Sequence, residues 1–249
     1  MIRLLLIAAL LASSLPVFAA KPVARAPAED PLEASIAGEF ALQAGQLPEA
    51  ARQYLQAARS ASDPVLAERA TRIALLANED ALARESYALW QALAPQQSAP
   101  RQAVAATLAL RAGGKRAARR ELQALLRDGG DGWKHALAAL IGAVGKQPKL
   151  VVAQLEDLVD DGELPDKLEP WLGFGGLAQR LEQPALVERI VRQVVARFPG
   201  EPRVALLRAQ LLREDGKLDE ARPLLAGLED AARLSQRLRW SLAGEYDAL

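Results

Sequence analysis

Cysteine is absent from the 249 residues, and His135 is the only histidine. Disulfides, thiolate metal sites and a cysteine nucleophile are thereby excluded. A histidine-based zinc site or a Ser-His-Asp triad would have a single imidazole to draw on. Aromatic residues are scarce, at 4%, which argues against a sheet-rich core, where aromatic and β-branched side chains collect. Neither sign of charge prevails. The 31 basic and 31 acidic side chains balance, so no net field draws the chain to nucleic acid or to an anionic membrane. The apolar run Leu4 to Ala12 is too short to span a bilayer comfortably.

That run has another reading. Met1-Ile2-Arg3 supplies a positive start and Leu4 to Ala12 an apolar middle, and Val17-Phe18-Ala19 places small residues where a signal peptidase reads. Residues 1–19 are therefore expected to be a signal peptide cleaved after Ala19, and the rest to be exported to the periplasm. With no cysteine after the apolar run, no lipid anchor is expected. Residues 20–31, AKPVARAPAEDP, carry three prolines and read as a flexible linker.

From Leu32 onward apolar residues recur at helical spacing, and no strand alternation is convincing. The pattern repeats itself. Trp171, Phe174, Gly175 and Ala178 share one helix face, and Val187, Val191 and Val194 share the next. About 34 residues later the same slots hold Ala205, Arg208, Ala209 and Leu212, then Ala221, Leu225 and Leu228. Glu182 and Gly216 fall at the turns. A first unit places Gly38 and Ala41, then Gly45 at the turn, then Ala50, Tyr54 and Ala57. A second holds Ala70, Thr71, Ala74, Asn78, Ala83, Tyr87 and Trp90. A third holds Ala106, Ala109, Gly113, Ala118, Leu122 and Leu125. A fourth is degenerate, with Leu137, Ala138, Ile141 and Gly145 fitting its first helix. Small residues are needed wherever two backbones cross closely, and a helix of such length is marginal unless stacked on neighbours.

On these residues the chain resembles tetratricopeptide repeat proteins over 32–249. The resemblance implies an all-α fold, a right-handed α-solenoid of about six helix pairs plus a final single helix. Trp240, Leu242 and Ala243 on that last helix are apolar and are expected to be covered, by a capping helix or by a second copy in a homodimer. The first two units, IAGEFALQAGQLPEAARQYLQAARSASDPVLAERATRIALLANEDALA, look like the opening of exported tetratricopeptide proteins of gammaproteobacteria. These include outer-membrane lipoproteins that are adaptors for a carboxy-terminal processing protease acting on cell-wall hydrolases. The function implied is that of a non-enzymatic scaffold or adaptor for protein or peptide partners, or an assembly factor for an envelope complex. No cofactor or metal is implied.

Carried over slot by slot, the concave binding positions are Glu39, Gln43, Glu68, Arg72, Arg111, Gln179, Arg180, Arg203, Gln210 and Arg213. His135 falls at a groove-facing slot of unit four. The Lys/Asn clamp by which some relatives grip a terminal carboxylate is missing. Other features read as structure. Gly173-Phe174-Gly175-Gly176 lacks the third glycine of a dinucleotide loop and follows no strand, and Gly113-Gly114-Lys115 lacks the rest of a P-loop. Arg111, Lys115, Arg116, Arg119 and Arg120 form a basic cluster read as solvated charge, with an acidic partner or lipid headgroup as the sharper alternative. Glu156, Asp157, Asp160, Asp161, Glu163 and Asp166 do not follow calcium-loop spacing and read as solvated charge, with docking of a basic protein as the alternative. A glycan hydrolase would need two carboxylates facing one cleft, about 5–10 Å apart.

Overall fold

In the computed structural model the described residues are 30–128 and 130–228, together with 240 and 243. The signal-peptide reading and most of the linker and last helix lie outside them. Twelve α-helices occur among the described residues, with no strand: α1 Pro31–Gln43, α2 Leu47–Ala61, α3 Pro64–Leu76, α4 Asp80–Leu93, α5 Ala99–Arg111 and α6 Lys115–Arg127. They continue with α7 Gly132–Ala143, α8 Pro148–Asp160, α9 Leu168–Arg180, α10 Pro184–Arg197, α11 Pro202–Glu214 and α12 Leu218–Ala226. Consecutive helices pack as hairpins, which makes the chain an all-α array of six pairs.

The turn inside each pair is built the same way in five of six units. Gly45, Asn78, Gly113, Glu182 and Gly216 all sit at positive φ. The next amide then donates to a carbonyl five residues back: Gln46 to Ala41 (2.8 Å), Glu79 to Ala74 (2.9 Å), Gly114 to Ala109 (2.8 Å), Gln183 to Ala178 (3.1 Å) and Lys217 to Leu212 (2.8 Å). This is a Schellman stop, which satisfies the last carbonyls of the first helix and reverses the chain. The fourth unit departs. The Gln147 amide reaches only Ala143, four residues back, and Gly145 is not at positive φ. Starts are capped as their sequences dictate. Asp30 and Asp63 accept from the amides of Leu32 (2.9 Å) and Val65 (2.7 Å). Pro31 and Pro64 occupy the first helical position, where no amide hydrogen is needed. Pro64 thus opens α3, and the spacer before the array ends ahead of the Asp30 cap.

Small residues do sit where paired helices cross. A Cβ on Gly38 would lie 3.2 Å from the Tyr54 ring, and one on Gly175 3.3 Å from Ile190. Ala209 is buried in the matching place between α11 and α12. The register differs from expectation in two helices. On α7 the buried face is Ala136, Ala139, Leu140 and Ala143, whereas Ala138 and Ile141 are exposed. On α10 it is Leu186, Ile190 and Val194, with Val187 and Val191 only half-buried. In both places neighbouring positions are all apolar, so periodicity leaves the face undetermined by one residue.

Candidate functional site

The first helices of the pairs are α1, α3, α5, α7, α9 and α11, and among them α5 packs against α7 and α7 against α9. Among the described residues, the large apolar side chains left exposed on α1–α12 are Leu32, Ile36 and Phe40 on α1, Val65 and Leu76 on α3, Ile141 on α7, Leu172 on α9 and Leu211 on α11. All lie on first helices and none on a second helix. A cleft of ≈420 Å³ opens between three first helices, α3, α5 and α7. Its walls are Leu75, Leu76, Pro100, Ala103, Val104, Ala138 and Ala139, with Arg72, Arg111 and His135 as its ionisable groups. Leu76, 70% exposed, is its most prominent apolar group.

Of the ten positions expected to bind a partner, the structure brings Arg72 and Arg111 together in this cleft, beside His135. Arg72 is exposed and paired to Glu68 one turn away (2.7 Å). Arg111 is engaged internally. Its Nε donates to the Gly142 carbonyl (2.8 Å) and its Nη1 to the Leu75 carbonyl (3.1 Å) and to Asp80 (2.9 Å). One guanidinium thus ties α3, α4, α5 and α7, and its side chain is 9% exposed. Glu39 is likewise a junction: it accepts from the Tyr54 hydroxyl (2.6 Å) and from Arg69 (2.5 Å), so α1, α2 and α3 meet there. The Tyr54 hydrogen bond, aided by Arg69 and Gln43, holds the Glu39 carboxyl below its usual range. Burial and the same bond push Tyr54 up to about 12. Gln43, Arg180 and Arg203 are exposed, and Gln210 and Arg213 are half-buried and engaged with other groups. Gln179 lines a different, larger cleft between α10 and α11.

The basic cluster of α6 and the acidic stretch of α8 turn out to be each other's partners. Lys115 pairs with Asp157 (3.0 Å), and Arg119 with Asp161 (2.7 Å) and Glu163 (3.1 Å). The remaining acids turn the other way: Glu156 and Asp160 meet Arg189 of α10 (3.1 and 3.4 Å), and Asp166 meets Arg197 (3.6 Å). All six acids are therefore matched within a ladder along the second helices α6, α8 and α10. Asp160, Asp161 and Asp166 remain solvated as expected while also pairing with cations of neighbouring helices. Of the basic cluster, only Arg116 and Arg120 remain exposed without an ion pair among the described residues.

Both glycine runs are structural. Gly113 and Gly114 form the α5–α6 turn. Gly173 lets α9 approach Trp133 and Leu137 of α7, where a Cβ would meet atoms at 3.0 and 3.2 Å, and Phe174 beside it is fully buried. Among the described residues no group of acidic or histidine side chains is arranged to hold a metal, and no helix is long and apolar enough to cross a membrane. The carboxylates on the α10–α11 cleft, Glu182, Glu188 and Asp215, are all exposed, and Glu188 is already paired with Arg192 (2.5 Å).

What sequence reasoning missed in the first-helix cleft is its apolar floor. Leu76 was the available signal: a large apolar residue falling outside the periodic core slots of its unit, two residues before the Asn78 turn.

No family model matches the chain, and no curated protein matches it. Among solved structures it is similar to a tetratricopeptide repeat protein from Parabacteroides merdae ATCC 43184, at 12% identity and a TM-score of 0.42, covering 87% of this chain and 84% of that one.

Proposed function

We propose that the chain is a tetratricopeptide-type scaffold or adaptor that performs no chemistry of its own and holds a protein or peptide segment against its first-helix face. The observation that carries this reading is that the large apolar side chains left exposed on α1–α12 all lie on first helices, with Leu76 in a cleft between three of them. Apolar surface left in water in such a cleft marks a place that another molecule covers. The cleft of α3, α5 and α7 is its focus, with Leu76 as the apolar anchor and Arg72 and His135 as polar groups beside it. A few such anchors supply most of the affinity in an interface, and the contacts around them exclude water. Gln43, Glu68, Arg180 and Arg203 extend the surface along the array.

The setting is the periplasm, reached through the signal peptide read in residues 1–19, and an adaptor to an envelope protease or cell-wall enzyme is the form such a scaffold would take there. Two measurements test this. N-terminal sequencing of the exported chain should begin at Ala20; retention of residues 1–19 would remove the periplasmic assignment. Affinity capture from periplasmic extract, with bound proteins identified by mass spectrometry, should give a partner set that Leu76→Ser together with Arg72→Ala depletes. An unchanged set would remove the site.

A further inference from the structure

The seam between α10 and α11 is looser than the one between α2 and α3, as are those of α4–α5 and α8–α9. Of these loose seams it alone opens into a large apolar cleft among the described residues. Between α2 and α3, the second helix of one pair closes onto the first helix of the next through Ala57, Ala58, Ala67, Ala70 and Ala74, all fully buried. At the corresponding place the backbones of α10 and α11 approach over only a short stretch. A cleft of ≈890 Å³ stands open between them, and Val187 and Val191, at core slots by their spacing, line it half-buried together with the exposed Leu211. Among the described residues the cleft is therefore apolar stacking surface that α11 leaves uncovered. Its rim is acidic. Glu182, at the positive-φ turn, has no ion pair among the described residues, and Asp215 has only a long 3.8 Å contact with Lys217. Glu188 is balanced by Arg192. No first-helix cleft residue takes part, and the surface lies beside the turns of units five and six.

We propose that this cleft is a second docking site, whose occupant is a short basic amphipathic helix supplied by a partner protein. The trough between two helices matches the shape of a third, the valines and Leu211 would receive its apolar face, and Lys or Arg along its edge would meet Glu182 and Asp215. The same acidic rim repels anionic lipid and nucleic acid, which leaves a protein segment as the fitting partner. From Pro184 to Arg192 the cleft runs along roughly two turns of α10, so two or three apolar anchors suffice.

The test uses the full chain lacking residues 1–19 and two fluorescent amphipathic peptides of about 16 residues, one of Leu and Lys, the other of Leu and Glu. Fluorescence anisotropy should show the Leu/Lys peptide binding at least about tenfold more tightly than the Leu/Glu peptide. Val191→Ser with Leu211→Ser should weaken the Leu/Lys peptide at least about tenfold. Glu182→Gln with Asp215→Asn, both on the exposed surface and harmless to folding, should weaken it severalfold and flatten its salt dependence. Leu76→Ser, in the first-helix cleft, should leave it unchanged, which separates this site from the one proposed above. The proposal is overturned if neither cleft pair alters binding, if Leu76→Ser abolishes it, or if no Leu/Lys binding occurs. It is overturned equally if light scattering finds a dimer that Val191→Ser with Leu211→Ser splits, because the occupant is then a second copy.

Discussion

The first four helices and the middle of the array are packed around different proportions of small and large side chains. In α1–α4 the contacts are made by alanine: Ala50, Ala51, Ala57, Ala58, Ala67, Ala70, Ala74 and Ala83 are fully buried, and the helix backbones approach closely along every seam. In α6–α9 buried alanines such as Ala118, Ala136, Ala143 and Ala178 are joined by Leu122, Leu125, Leu140, Leu155, Leu158, Trp171 and Phe174, all fully buried, and α8 stands further from its neighbours on larger side chains. Interhelical distance follows the size of what lies between. The cores are accordingly separate, one spanning α1–α4 and reaching Val104 and Leu108, one across α5–α10 and reaching Val204 of α11, and a small one between α11 and α12. The alanine region has no room to spare, whereas the middle depends on filling its space.

Substitutions should sort by region. The largest effect is expected in the middle: Trp171→Ala empties a fully buried site, where the indole also donates to the Pro165 carbonyl (3.1 Å) and lies 5.0 Å below the Arg197 guanidinium. It should cost about 3–5 kcal/mol in urea unfolding. In the alanine region enlargement should do the damage. Ala70→Leu should cost about 1–3 kcal/mol, and a neutral or stabilising result would break the comparison.

Next comes the ladder on the second helices. Arg119→Met leaves Asp161 and Glu163 without their shared cation, and its methionine retains much of the aliphatic stem. A loss of about 1–3 kcal/mol is expected. The loss should shrink as salt is raised, since Asp161 is 65% exposed.

The smallest effect sharpens the first region through pH. Tyr54 has its folded-state value raised to about 12 from 10.0, through burial first and then the hydrogen bond to Glu39. The stability tied to that proton is intact below pH 10 and is lost as pH rises towards 12. Tyr54→Phe should therefore flatten the alkaline limb of the stability curve over that window.

The array was legible in the sequence because its marks are local. A positive-φ residue follows the first helix in five of the six units, at a spacing near 34 positions or twice that, and Gly38, Gly175 and Ala209 stand where backbones cross. Two things were not legible. Where Leu186 and Val187, or Ile190 and Val191, stand side by side, either choice satisfies helical periodicity, and the packing of the helices decides: Ile190 lies against Gly175 of α9, whereas Val187 and Val191 face the α10–α11 cleft. The charged runs were harder still. Arg119 and Asp161 are 42 positions apart, so the cluster on α6 and the stretch on α8 read as two free surfaces until the fold set them against each other. Arg111 and Glu39 show the same limit: each occupies a slot where a groove residue is expected, and each is engaged in joining units.

The proposed docking face is open to a direct measurement, because the chain contains no cysteine of its own. A single thiol can be placed on the first-helix face by Leu76→Cys, or on an exposed second-helix position by Arg84→Cys, and its alkylation rate followed with and without periplasmic extract. Protection at position 76 with an unchanged rate at position 84 is the predicted result. Equal rates at both positions, or protection confined to position 84, would contradict the account.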